Sequence, residues 1–397
     1  MYKTLSHWLK QQQTPMTEQL LAWSQINSGT FHLAGLNRMA DALVEAFSPL
    51  NAKFDRIALS PYESIDDAGH TISKPLGSAL SFVKWPDAPI QVLLCGHMDT
   101  VFGESSAFQT YQFIDDNTLN GPGVTDMKGG LLIMLYALQA VEQFADPGAI
   151  GWRVLINSDE EIGSPGSAPL FKTFAPSYHY GLVFEPALTP DGVFAGRRKG
   201  SGNFSLIVRG VSAHVGRAFD EGRNAIVALA HLMQALDALN GQREAVTINI
   251  GYCHGGGVLN SVPDLAIGKL NVRTFYLEDA AWFYQQLEQL IETISKQFNV
   301  QVEWQGGFGR PPKLMDEKHM AFYQRLAKVS NDMGLSASWQ ATGGCCDGNN
   351  LASLGLPTID TLGARGGAIH TDKEFILLDS LAERAELTAR LLIEIAQ

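Results

Sequence analysis

Residues 91–99 read Gln-Val-Leu-Leu-Cys-Gly-His-Met-Asp, an apolar run that ends in a histidine and an aspartate. A short apolar run of this kind is typical of a buried β-strand. His97 and Asp99 are two residues apart, so on an extended chain their side chains point to the same side, where the carboxylate can orient the imidazole. The segment predicts a buried strand with reactive side chains at its carboxyl end. Taken alone, such a pair is more often an ordinary polar pair.

Similar apolar runs alternate with helical segments around this strand. Apolar residues recur every three or four positions over 128–144, which predicts a helix, and apolar runs at 152–156 and 181–184 predict further strands. Alternation of this kind favours an α/β fold, with a mainly parallel sheet flanked by helices.

The pattern changes between residues 197 and 308. The sequence there predicts a strand at 201–208, a helix at 223–239, strands at 245–252 and 265–275, a helix at 278–298 and a strand at 300–304. This order is that of a ferredoxin-like α+β unit. Because strand and helix alternation resumes afterwards, we expect a catalytic domain in two parts, 1–196 and 309–397, with a ferredoxin-like domain inserted at 197–308.

Composition limits the classes of function. The chain has 397 residues, 45% of them hydrophobic, and its 29 basic and 41 acidic residues give a formal charge of −12. A chain so acidic, without a basic run, is not expected to bind nucleic acid. It shows neither a secretory signal nor an apolar stretch long enough to cross a bilayer, so we expect a cytoplasmic protein without membrane contact. The four cysteines lack the spacing of a disulfide framework or a structural zinc site.

Further carboxylates and one more imidazole follow predicted strands or tight turns. They are Asp126, Glu160, Glu161, Glu185 and His370. Singly, each has an ordinary alternative, such as a helix cap for Asp126 or a solvated loop charge for the glutamates. Together they lie where open α/β sheets place their sites, and they are the ligand types of a two-zinc hydrolase. Of two adjacent carboxylates, one can bind metal while the other acts as a general base.

Six segments, in this order, resemble the M20 family of zinc peptidases and acyl-amino-acid hydrolases, particularly its glutamate carboxypeptidase branch. They are G-H-M-D-T-V-F at 96–102, G-P-G-V-T-D-M-K-G-G at 121–130, S-D-E-E-I-G-S at 158–164, F-E-P-A at 184–187, S-A-H-V-G at 212–216 and G-A-R-G-G-A-I-H at 363–370. The resemblance extends from about residue 16 to the end of the chain.

The resemblance implies two divalent metal ions, zinc first and cobalt or manganese as alternatives. Asp126 bridges both ions, Glu161 and His370 complete one site, and His97 and Glu185 complete the other. All five residues are therefore expected to lie within one cluster.

The same resemblance implies the residues that act beside the metals. Glu160 looks like the general base, and a cis peptide bond is expected between Asp126 and Met127. His214 of the inserted domain is expected to reach the active site of a second subunit and stabilise the oxyanion there. The inserted domain is thereby implied to be a lid and the dimerisation surface of a homodimer.

Asn260 and Arg273 match positions at which relatives recognise a substrate carboxylate, for which a guanidinium is well suited. We therefore expect a carboxypeptidase that releases an amino acid with a free carboxylate, glutamate included. The alternatives are an N-acyl-amino-acid deacylase of the same family and, more remotely, a metal-binding protein without turnover. Cys345 and Cys346, which depart from the family pattern, are expected to pack near the pocket rather than to bind metal.

Overall fold

A mixed α/β architecture is built from the elements that the apolar periodicity predicts. The structure, a computed structural model, describes residues 1–146 and 148–397. Its helices are α1 (Tyr2–Gln11), α2 (Gln13–Ser24), α3 (Leu33–Phe47), α4 (Gly129–Phe144), α5 (Ala168–Phe174), α6 (Ala225–Asp237), α7 (Leu277–Phe298), α8 (Glu317–Asp332), α9 (Asp347–Ser353) and α10 (Ser380–Ile395).

The described strands range from two to ten residues in length. They are β1 (Lys53–Ala58), β2 (Tyr62–Ile65), β3 (Thr71–Lys74), β4 (Ser78–Lys84), β5 (Ile90–His97), β6 (Gln112–Phe113), β7 (Thr118–Asn120), β8 (Ile150–Asn157), β9 (Tyr180–Val183), β10 (Phe194–Arg198), β11 (Gly200–Arg209), β12 (Thr247–Gly255), β13 (Leu265–Thr274), β14 (Gln301–Arg310), β15 (Trp339–Thr342), β16 (Thr358–Ile359), β17 (Gly366–Gly367) and β18 (Phe375–Leu377).

The central sheet is mainly parallel. Within the described residues its strand order is β1-β4-β8-β5-β9-β16. β5 pairs in parallel with β8 and β9, and β16 pairs in parallel with β9, whereas β1 and β4 form an antiparallel edge. The predicted α/β class is confirmed. Because the parallel strands run the same way, the carboxyl ends of β5, β8 and β9 lie at one edge of the sheet.

Helix α4 forms the middle of the main core. The segment Val124–Phe144 is apolar and long enough to cross a membrane by length and composition, yet 94% of its most apolar window is buried inside the protein. It packs against α10 and β5. A helix that is apolar all round is a buried core helix when other elements cover it on all sides. By length and composition, the expectation that no apolar stretch is long enough to cross a bilayer is therefore wrong, although the segment is buried in the protein core.

Residues 200–310, here called the inserted module, form a separate antiparallel sheet. Its order is β12-β13-β11-β14, and helices α6 and α7 cover one face through their own apolar core. This is the predicted ferredoxin-like arrangement. The sheet runs from Gly200 to Arg310, while the predicted domain boundaries at 196/197 and 308/309 stay predictions.

The hairpin of β2 and β3 lies against the other face of the inserted module. Ile65 of the hairpin packs with Ile207 and Ile267 in a small apolar cluster. Arg209 donates to the carbonyl of Gly69 at 3.0 Å, and Lys269 donates to the carbonyl of Ile65 at 2.6 Å. Beside these contacts, a cleft of about 880 Å³ separates the module from the rest of the chain.

Candidate metal centre and active site

The candidate site forms at the carboxyl edge of the central sheet. His97 is the last residue of β5 and is paired in register with Asn157, the last residue of β8. The Glu160 and Glu161 turn follows β8, and Glu185 follows β9 by two residues. The sheet alone therefore brings three of the predicted segments to one place.

Asp126 lies between two groups of side chains. Its Oδ1 is 3.1 Å from Nε2 of His97, and its Oδ2 is 3.2 Å from Nε2 of His370. His370 Nε2 is also 3.2 Å from Oε2 of Glu161, while His97 Nε2 is 3.8 Å from Oε1 of Glu185. The five predicted ligands thus lie together, divided by Asp126 into the pairs that the resemblance implies.

The loop that carries Asp126 is held by a buried carboxylate. Glu374 accepts hydrogen bonds from the backbone N–H groups of Gly123 at 3.1 Å, Thr125 at 2.9 Å and Asp126 at 3.0 Å. The peptide bond between Asp126 and Met127 is cis, as the resemblance implies. Glu374 was not among the predicted site residues, although it lies only four residues after the predicted ligand His370.

Asp99 organises more of the site than its predicted role of orienting His97. Nδ1 of His97 lies 3.0 Å from the backbone carbonyl of Asp99 and 3.4 Å from its Oδ1. The carboxylate accepts the backbone N–H groups of Glu160 and Glu161, each at 3.2 Å, and the hydroxyl of Thr30 at 2.8 Å. Asp99 therefore also fixes the turn that presents both glutamates.

The charges of the cluster show an excess of carboxylates. Burial, followed by the charge of Asp126, raises the pKa of Glu161 to about 8. Burial and the charge of Glu160 raise the pKa of Glu185 well above its ordinary value. Hydrogen bonds to Asp126 and Glu161 raise the pKa of His370 to about 11. The surroundings of each group thus favour added positive charge.

A pair of divalent cations fits this charge and this donor set. Oε1 of Glu185 is buried, has no hydrogen-bond partner among the described residues and lies 3.8 Å from Nε2 of His97. His97 with Glu160 and Glu185, and His97 with Asp126 and Glu161, each present ligand atoms within 4.8 Å of one another. Imidazole nitrogens and carboxylate oxygens are ligands that zinc accepts.

Glu160 is buried beside the cluster and contacts an arginine that the sequence analysis missed. Nη2 of Arg310 donates to Oε1 of Glu160 at 2.6 Å and to its backbone carbonyl at 2.7 Å. Arg310 is the last residue of β14, in the inserted module. A single arginine near a predicted domain boundary carried no pattern that could have revealed this contact.

His214 and Asn260 lie apart from the cluster, on exposed loops of the inserted module. The two loops meet where the N–H of Val215 donates to the carbonyl of Asn260 at 3.1 Å. Nδ1 of His214 accepts from the N–H of Gly216 at 3.1 Å. Among the described residues, no hydrogen bond or ion pair joins either side chain to the predicted ligands.

Arg273 lines the cleft from β13. Its Nε donates to Oδ1 of Asn271 at 2.8 Å, and its Nη1 lies 3.0 Å from Sγ of Cys345. Within residues 1–146 and 148–397 this guanidinium has no ion-pair partner. Cys345 also lines the cleft, whereas Cys346 is buried at the start of α9, where its Sγ accepts from the N–H of Gly348 at 3.3 Å.

Comparisons with known proteins give a family match and several curated relatives. The family model described as Peptidase family M20/M25/M40 matches residues 93–394. Carboxypeptidase G2 of Pseudomonas sp. (strain RS-16) is 28% identical over 314 residues, which cover 77% of this chain and 74% of that protein. Succinyl-diaminopimelate desuccinylase of Pseudoalteromonas translucida (strain TAC 125) is 30% identical over 318 residues, which cover 75% of this chain and 81% of that protein.

A solved structure extends the likeness to nearly the whole chain. The YXEP protein of Bacillus subtilis, a dinuclear metal-binding peptidase from the M20 family, superposes with a TM-score of 0.67 at 13% identity. The match covers 97% of this chain and 99% of that chain. At this identity the likeness shows the fold.

Proposed function

Because this chain belongs to peptidase family M20/M25/M40 and is a hydrolase of amide bonds, we propose that it uses two divalent metal ions to release an amino acid that carries a free carboxylate. The reaction is that of a carboxypeptidase, with glutamate among the candidate products. The name of the related carboxypeptidase G2 supports this choice.

The observation that supports the metal assignment best is the position of Asp126 between the two groups of ligands. Oδ1 is directed to His97 and Oδ2 to His370, as expected of a carboxylate that bridges neighbouring ions. Glu185 would complete the first site and Glu161 the second. When bound, such ions supply an activated water and polarise the scissile carbonyl. Zinc is the proposed metal, with cobalt or manganese as alternatives.

Glu160 is the proposed general base. Among the described residues, the side-chain hydrogen bonds of its carboxylate fall on Oε1, which Arg310 holds at 2.6 Å. Oε2 is left to take a proton from the attacking water and to pass it to the leaving nitrogen. His97, kept in place by Asp99, would meanwhile remain a ligand.

Arg273 is proposed to bind the carboxylate of the substrate. Its guanidinium lines the cleft without an acidic partner among the residues described, so a substrate carboxylate can accept its N–H groups. Asn260 is proposed to assist from a second subunit, because it lies on the loop next to His214. These assignments place the free carboxylate of the substrate beside the bond that is cut.

A homodimer through the inserted module is the proposed assembly. β12 is an edge strand of the module sheet, and the neighbouring loops expose Leu259 at 98%, Val258 at 70% and Phe219 at 63%. Edges and apolar patches of this kind are common at interfaces. In the dimer, His214 would donate a hydrogen bond to the oxyanion in the partner's site.

The second candidate function is deacylation of an N-acyl amino acid. It is favoured by the likeness to a succinyl-diaminopimelate desuccinylase and uses the same base and metals with a different acyl pocket. A metal-binding protein without turnover is not favoured, since the family consists of hydrolases. A cytoplasmic location and the lack of nucleic-acid partners stay predictions from composition.

A substrate panel separates these functions. Purified protein is stripped of metal, reloaded with zinc, cobalt or manganese, and assayed on dipeptides and on N-acyl amino acids, N-acyl glutamates included. We expect metal-dependent release of a carboxylate-bearing amino acid, with carboxamide analogues cut at least about tenfold more slowly because one carboxylate contact is lost. Equal rates on acids and amides would reject the role of Arg273, and turnover without metal would reject the mechanism.

A further inference from the structure

Arg310 is a buried cation directly behind the proposed base. We propose that Arg310 is a positioning residue, which sets the orientation of the Glu160 carboxylate and links it to the inserted module. This inference rests on the proposed function, in which Glu160 moves the proton. It assigns Arg310 no contact with the reacting atoms.

Arg310 contacts both the side chain and the main chain of Glu160. One nitrogen, Nη2, lies 2.6 Å from Oε1 and 2.7 Å from the backbone carbonyl of the same residue. A donor shared by the side chain and main chain of one residue restricts the rotation of that side chain. Because both partners are buried, this charge-assisted bond is little screened by water. Oε1 is thereby occupied, whereas Oε2 has no side-chain hydrogen bond among the described residues.

The same nitrogen of Arg310 also contacts residues other than Glu160. Nη2 lies 3.0 Å from Oγ of Ser164 and 3.5 Å from Oδ1 of Asp347. Asp347 also accepts the hydroxyl of Ser164 and, at 2.7 Å, the amide of Asn157, the residue that ends β8. In the observed placement of the module, the guanidinium is therefore held against groups beside the central sheet, where it can fix the orientation of the carboxylate.

The origin of Arg310 makes the contact a link between two parts of the chain. Arg310 ends β14 and pairs with Ser201 of β11. Three residues later Lys313 donates to Oδ2 of Asp360 at 2.8 Å, and Arg198, at the other crossing of the chain, donates to the same oxygen at 2.9 Å. A displacement of the module about these crossings would move Arg310 relative to Glu160. The base is then correctly oriented only when the module is correctly placed.

A competing role for Arg310 is binding of substrate, because it lines the cleft together with Arg273. The contacts favour positioning. Arg310 is only 7% exposed and pairs with two carboxylates, whereas Arg273 has no acidic partner among the residues described. A substrate carboxylate would have to compete with Glu160 and Asp347 for the same guanidinium.

Kinetics of Arg310→Lys and Arg310→Gln test the proposal, with Arg209→Gln as the matched control. Arg209 also joins the module to the rest of the chain, through the carbonyl of Gly69, but lies in a different contact region. We expect kcat to fall about 10- to 100-fold in the Arg310 variants, as for a misplaced catalytic group, with KM changed less than about twofold. Lysine should recover part of the loss, and the control should keep the wild-type kcat. Melting temperature and metal content establish that each variant is folded and loaded.

Binding measurements in a Glu160→Gln background separate the two roles. We expect Arg310→Lys to leave the Kd of a substrate unchanged in that background, because Arg310 acts only through the base. A tenfold weaker Kd there would make Arg310 a substrate ligand and overturn the proposal, as would unchanged kcat in a folded Arg310→Lys enzyme. If wild-type protein cuts no member of the substrate panel, the proposed function fails instead, and the two failures remain distinct.

Discussion

Asp126 directs its two carboxylate oxygens to different partners, and its neighbours share the work of keeping it there. Glu374 accepts three backbone N–H groups of the loop that carries Asp126, and Asp99 accepts two from the Glu160 and Glu161 turn. At the scale of single residues, the candidate site is a layer of proposed ligands supported by a layer of buried carboxylates. Replacing supporting residues of this kind typically lowers metal affinity about 10- to 100-fold.

Replacement of Glu160 by glutamine is the first residue-scale prediction. The amide keeps the size of the side chain but cannot accept a proton, so we expect kcat to fall by about 10²- to 10⁴-fold while metal content is retained. Turnover on the best panel substrate and metal analysis of the same sample provide the measurement. A variant with near wild-type kcat would place the base elsewhere.

Replacement of Glu374 by glutamine should weaken metal binding without affecting proton transfer by Glu160. One of the three N–H groups would then face an amide NH₂, so the loop that carries Asp126 should loosen. We expect metal affinity to drop about 10- to 100-fold, with kcat largely restored by excess metal. Titration with a competing chelator measures the affinity. If affinity stays at the wild-type value, Glu374 does not position Asp126.

The sequence predicted the cluster of proposed ligands better than the residues that support it. The proposed ligands each follow a strand or a tight turn, and it was their occurrence together, in segments that resemble a known family, that singled them out: His97, Asp126, Glu161, Glu185 and His370. Arg310 and Glu160 are 150 positions apart, and nothing in either local segment refers to the other. Contacts of that kind depend on the packing of the whole chain, which periodicity does not encode.

At the scale of elements, the site depends on how closely α4 approaches β9. Gly130, at the start of α4, leaves room for the backbone of Phe184, since a Cβ there would lie 2.1 Å from the Phe184 carbonyl oxygen. The next residue, Glu185, is a proposed ligand. The strands and helices around this contact agree with the predicted ones within a few residues, because their apolar periods are long and regular. The close approach itself was not predicted.

Gly130→Ala should therefore separate helix from strand. The added methyl group must displace backbone, so we expect about 1 to 3 kcal/mol of destabilisation together with weaker metal binding. Gly103→Ala is the matched control, because a Cβ at Gly103 meets nothing within 4 Å. Denaturant unfolding of both metal-free proteins gives the comparison. Equal stability of the two variants would show that α4 can shift without cost.

At the scale of the whole molecule, two of the predicted site residues lie apart from the cluster of proposed ligands. His214 and Asn260 lie on exposed loops of the inserted module, without a recorded hydrogen bond or ion pair to the predicted ligands among the residues described. Sequence order predicted the module because its strand and helix order is distinctive. It could not predict the placement of the module, which depends on contacts between distant residues, such as those of Arg198 and Lys313 with Asp360.

Mixing two inactive variants tests the proposed assembly. Glu160→Gln protomers keep His214, and His214→Ala protomers keep the base, so an exchanged heterodimer contains one complete site. We expect mixing to restore activity in proportion to the heterodimer formed. Native mass spectrometry of differently tagged protomers measures the exchange. Exchange without recovery would mean that each chain works alone.

The packing of the β2 and β3 hairpin limits how the inserted module could move. Detachment of the hairpin from the module would expose Ile65, Ile207 and Ile267, which are now 3%, 5% and 0% accessible. The free-energy cost would be about 1.5 to 3 kcal/mol for each side chain. Bending the chain at residues 59–61 and 75–77 would instead separate Tyr62 and Lys74 from the exposed ring of Phe31, where less apolar surface is buried. If the module moved as a rigid body, residues 62–74 would therefore move with it. The moving unit would then include a segment that lies far outside residues 200–310 in the sequence.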